Sequence, residues 1–129
     1  MTNARSRIEE HHRRRFERLV GIAMRRLPPD FDRYLDNVVI VSADDPSQEQ
    51  RHRTGPNGDD LLFGLYEGVP LTERGTGYGM VLPDRITLFR RTFERACATE
   101  AETIEEIRRT IVHEVGHHLG WGEDRLKDV

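Results

Sequence analysis

The sequence predicts an α+β domain, on three observations. Apolar residues recur at helical spacing near both ends, three short apolar runs lie between them, and glycine and proline punctuate the junctions. Neither a lone helix stripe nor a lone strand run can bury itself. A two-layer packing of helices on a small mixed sheet of about three to four strands satisfies both.

Taken in order, the first helix is expected from Ala4 to Leu27. Ile8, Phe16, Leu19, Val20, Ala23 and Leu27 keep rough helical spacing, and Pro28-Pro29 ends the element because proline lacks an N–H and disfavours a helical residue before it. The run His11 to Arg15 is interleaved with Glu9, Glu10 and Glu17, so it reads as a solvated, salt-bridged face. Asp30 to Leu35 suits a short helical turn. Asn37-Val38-Val39-Ile40-Val41 is a β-branched run, expected as the central strand.

Residues 42–60 combine Pro, Gly, Asn, Asp and Gln with no apolar period and read as a flexible surface loop, with His52 solvated in it. Leu61 to Tyr66 is the second strand, where Gly64 marks a bulge or a close approach; Glu67-Gly68 and Pro70 close it. Gly75, Gly77 and Gly79 lead into a strand and lack the lysine of a phosphate loop, so they read as a mobile turn. Ile86 to Phe89 is the third strand, assigned to a sheet edge because it is entered through Pro83. Arg90 to Ala98 continues as a short helix or loop. Thr99 or Thr103 then caps the last helix, with Glu102 or Glu106 completing a capping box.

That last helix, expected from Thr103 to Leu119, carries the chemistry. Ile104, Ile107, Ile111, Val115 and Leu119 form one apolar stripe, and His113 and His117 lie on the far side of it. Histidines four apart stand one turn apart on one face, so both imidazoles can reach the same ion while Glu114 projects beside them. Zinc in a catalytic site takes three protein ligands and keeps one position open. Gly120 can stop the helix in a left-handed conformation, after which Trp121-Gly122 turns the chain and Glu123 folds back as the third ligand. Asp124 is the rival acid; either it or Glu106 can orient a ligand imidazole from behind. His118 falls nearer the apolar side and reads as a packed or capping residue. Glu114 is the expected general base.

At 129 residues the chain is expected to be a single domain, 1–129. A net charge of -3 argues against nucleic acid as a partner. Cys97 is the sole cysteine, so no intrachain disulfide can form and an inert buried thiol in a reducing compartment is expected. No apolar run reaches the length of a signal or membrane segment, which points to a cytoplasmic protein without a membrane partner.

With this helix and the strands before it in place, the chain resembles the small bacterial zincin-like metallopeptidases, minimal zincins with an H-E-x-x-H-x-x-G-x-x-D/E motif. The resemblance runs from Asp59 to Leu126. It rests on Gly64-Leu65-Tyr66-Glu67-Gly68-Val69-Pro70-Leu71-Thr72-Glu73-Arg74, on Leu82-Pro83-Asp84-Arg85-Ile86, and on His113-Glu114 through Gly120 to Glu123-Asp124-Arg125-Leu126. It implies a compact zincin-like domain with the sheet over the active helix, and zinc held by His113, His117 and Glu123. Larger zincins continue into a lower subdomain with a methionine turn. Here Met1, Met24 and Met80 all precede the motif, so the lower wall of the substrate cleft is expected to be missing.

Three functions remain open at this level. The first is a zinc-dependent hydrolase of peptide or amide bonds, its substrate laid along an edge strand near Ile86 to Phe89. The second is a structural or regulatory zinc module without catalysis, and the third a metal-free interaction domain using the glycine-rich loop and a strand edge.

Overall fold

The computed structural model describes residues 3–53, 61–68 and 82–127. Helix α1 spans Ala4–Arg25; Asn3 caps it, its Oδ1 accepting from Ser6 N at 2.8 Å. The helix stops two residues short of Leu27, as Pro28 requires. A 3-10 turn at Phe31–Tyr34 leads to strand β1, Val38–Ala43, and then to a short helix α2, Gln48–His52. Strands β2, Gly64–Glu67, and β3, Asp84–Phe89, follow. Helix α3, Arg90–Ala96, leaves directly from β3 and precedes the long helix α4, Glu100–His118, and the terminal α5, Glu123–Lys127.

The architecture is α+β, as expected, with one three-stranded mixed sheet in the order β1-β3-β2. β1 runs parallel to β3, with Ile40 opposite Ile86, and β2 runs antiparallel to β3, with Tyr66 opposite Ile86. Two strand positions differ from expectation. β3 is the central strand, and β1, expected there, is at the side, with Val39 and Val41 exposed. Pro83 does not force an edge because it lies before the ladder, whose first bond is donated by Asp84 N to Asn37 O at 2.9 Å. An extended peptide therefore cannot add to Ile86–Phe89, since both sides of that strand are already paired.

Within the stretch expected as surface loop, Ser42 and Ala43 extend β1, and 48–52 form α2. Ser47 closes a reciprocal capping box with Gln50, two hydrogen bonds of 2.9 and 3.1 Å. Residues 54–60, the turn at Pro70 and Gly75, Gly77 and Gly79 lie outside the described residues.

Helices α1 and α4 cover one sheet face. Phe16, Leu19 and Ala23 of α1 meet Ile104, Ile107, Ile111, Val112 and Val115 of α4 and Ile86 and Leu88 of β3 in one buried cluster. Each of these apolar side chains larger than alanine contributes about 1.5–3 kcal/mol by leaving water. Leu119 leaves the expected stripe: it is 47% exposed because the helix has already ended at His118. Thr99 is the cap, its hydroxyl accepting from Glu102 N at 3.1 Å, while the Glu102 carboxylate reaches back to Ala98 N.

One buried ion cluster has no counterpart in the sequence reading. Arg90, at the β3–α3 junction, is 2% exposed, yet its guanidinium is shared among three carboxylates. Nε donates to Asp44 (3.0 Å), Nη1 to both oxygens of Glu94 (2.8 and 3.0 Å) and Nη2 to Glu9 (2.7 Å). It ties α1, the end of β1 and α3 together. Among the described residues no helix is long and apolar enough to cross a membrane.

Candidate metal centre

Helix α4 lies against β2, and Gly64 makes that approach possible. A Cβ there would meet Thr110 Cγ2 at 2.9 Å and Thr87 O at 3.1 Å, so the close approach suggested by the sequence is what the fold uses. The contact brings the β2 backbone to Glu114. Tyr66 N donates to Glu114 Oε1 at 3.2 Å, and Glu114 Oε2 stands 3.8 Å from His117 Nδ1. Burial pushes the Glu114 carboxyl above the usual carboxylate range, against the lowering effects of the Tyr66 hydrogen bond and of the His117 charge.

His113 and His117 share the face away from the apolar stripe, their rings 6.1 Å apart and edge to face. His117 Nε2 is 3.7 Å from Glu123 Oε1, so Glu123, the acid expected as third ligand, stands beside the second histidine of the motif. Asp124 follows Glu123 in the same short helix and is exposed. Glu106 pairs with Arg109 at 3.9 Å and helps line a cleft of about 240 Å³ between α4 and residues 61–64, which His113 and Glu114 also line. Among the described residues no three His, Cys, Asp or Glu side chains are gathered tightly enough to hold an ion as they stand. The donor set of two imidazoles and a carboxylate is nevertheless one that zinc accepts, and positions i and i+4 already share a helix face.

The return of the chain to the helix follows the expected route. Gly120 is left-handed (φ 78°), Gly120 N donates to His117 O (3.1 Å) and Trp121 N to Gly116 O (2.8 Å). Those two bonds form a Schellman termination. His118, expected on the apolar side, is instead 45% exposed at its side chain, with its ring stacked on Tyr66 at 4.0 Å and its Nε2 4.0 Å from Asp84 Oδ2. Tyr66 OH donates to that same oxygen at 2.6 Å. Sequence reasoning missed Tyr66 as the residue holding Glu114. The signal present was Gly64, which announced that a backbone comes close but not which N–H it carries in.

Fold and site together define a small α+β domain whose penultimate helix presents a histidine pair and an acid beside a strand. The sequence profile of the zincin-like metallopeptidases matches residues 35–129, and the chain belongs to that family. A metallopeptidase-like function with zinc binding is the family's general implication. A search of curated proteins returned no match.

Proposed function

We propose that the protein is a zinc-dependent hydrolase of peptide or amide bonds, with His113, His117 and Glu123 as metal ligands and Glu114 as general base. The observation that carries this reading is the setting of Glu114. One oxygen is anchored by a backbone N–H and the other is turned toward His117, on a carboxyl that burial pushes above its ordinary value. Zinc, when bound, supplies Lewis acidity toward a carbonyl and acidifies water. Glu114 Oε2 takes the proton from the attacking water and delivers it to the leaving nitrogen, while the Tyr66 N–H keeps Oε1 in place.

Among the described residues β2 is paired on one side only, by β3. An extended substrate is proposed to lie along β2, next to the cleft lined by Leu61, Phe63 and His113. Glu114→Gln keeps the shape of the side chain and removes its basicity. The expected result is loss of hydrolysis of a peptide library by at least about a hundredfold, with zinc still bound. Hydrolysis at the wild-type rate in that variant would remove Glu114 from the mechanism. Zinc retention in both proteins, with no hydrolysis by the wild type, would leave the module without catalysis as the better reading.

A further inference from the structure

We propose that Trp121 is a positioning residue for the metal ligand Glu123, and that through it the Phe31–Tyr34 turn sets the zinc affinity of the site. The inference rests on the ligand set above and adds to it a control from outside the motif. Glu123 is 74% exposed at its side chain, so its place near His117 comes from where the backbone is held. Helix α5 has five residues, too few to persist without tertiary contacts.

Two anchors bracket Glu123. Trp121, two residues before it, stands edge-on to Tyr34 (5.1 Å, 85°) and to Phe31 (6.3 Å, 78°), with the Arg125 guanidinium over its ring at 4.0 Å. Arg125 Nη2 also donates to the Tyr34 hydroxyl at 3.4 Å. Leu126, three residues after Glu123, is 2% exposed and fills a socket that exists because residue 116 has no side chain. A Cβ on Gly116 would meet Leu126 Cδ2 at 2.4 Å and Trp121 Cε3 at 3.0 Å. The glycine inside the histidine motif is therefore the floor on which the third ligand's segment sits.

Phe31 and Tyr34 precede residue 35, where the family match begins, so this latch joins the shared metal helix to a part of the chain outside the match. Coupling of this kind is reciprocal: a held Glu123 favours zinc, and zinc favours the closed latch. Trp121 is the only tryptophan in the chain, so its emission reports the latch directly.

The test is a zinc titration against a competing chelator, with Trp121 fluorescence read in parallel. Tyr34→Ala is expected to weaken zinc binding about tenfold, as loss of a ligand-orienting contact does. Tyr34→Phe keeps the ring and retains affinity, and Arg125→Ala weakens it about threefold. In a Glu123→Ala background Tyr34→Ala costs nothing further, because the latch acts only through that ligand. Zinc shifts Trp121 emission in the wild type and not in Glu123→Ala. Wild-type affinity in both Tyr34→Ala and Arg125→Ala, or an equal loss in the Glu123→Ala background, overturns the latch while leaving the hydrolase reading intact. Should Tyr34→Ala not fold, Arg125→Ala, at the surface, decides alone. A wild type that binds no zinc overturns the metal site itself.

Discussion

Replacing Arg90 by methionine removes a guanidinium that serves three carboxylates and leaves a side chain that still fills the aliphatic part of its space. The arginine is 2% exposed, and its partners Glu9, Asp44 and Glu94 are each 27–29% exposed. Glu9 retains Arg91 at 2.9 Å and Asp44 retains Arg13 at 2.9 Å, so two of the three keep a cation. Glu94 loses its arginine partner but, being 27% exposed, can be hydrated. Breaking a fully buried pair costs about 3–5 kcal/mol; residual exposure and the surviving pairs reduce this to about 2–4 kcal/mol. For a domain of this size that lowers Tm by roughly 8–15 °C. Urea and thermal unfolding of the two proteins at pH 7 measure it. A loss under about 1 kcal/mol would show that Arg90 acts as an ordinary surface pair and that the three elements are not joined through it.

Two further outcomes are expected. The Arg13 and Arg90 guanidinium groups hold the Asp44 carboxyl down at about 2, from 3.8. A carboxyl lowered on folding contributes stability that is complete above its unfolded value and lost as pH falls through its folded one, so unfolding free energy should drop by about 1–2 kcal/mol between pH 4 and pH 2 through Asp44 alone. Asp44→Asn should flatten that part of a pH-stability profile, and an unchanged slope would contradict the assignment. Gly64→Ala places a methyl 2.9 Å from Thr110 Cγ2 and 3.1 Å from Thr87 O. The expected cost is about 1–3 kcal/mol in chemical denaturation, with weaker amide protection of Tyr66 as β2 moves from α4; a neutral change would mean the approach is looser than described.

What was legible in the sequence was local. His113, Glu114 and His117 share a face because of helix periodicity alone, and Gly120 ends the helix because φ there is positive. The approach of Glu123 followed from those few residues. The order of strands was not legible: Val38–Ala43 and Asp84–Phe89 are both short apolar runs, and which is central depends on pairing across about 45 residues of chain. Arg90 was equally hidden, because its three carboxylates come from positions 9, 44 and 94, and only the fold makes them neighbours. Tyr66, Trp121 and Leu126 show the same limit. Each acts on the motif from outside it, through an N–H, a ring or a socket that no spacing records.

Elemental mass spectrometry of the purified protein beside Glu114→Gln, His113→Ala and His117→Ala tests the central claim most directly. About one zinc per chain in the wild type and in Glu114→Gln, and none in either histidine variant, is the predicted result. Absence of zinc from the reconstituted wild type, or its full retention in either histidine variant, would contradict the metal centre on which the proposed chemistry depends.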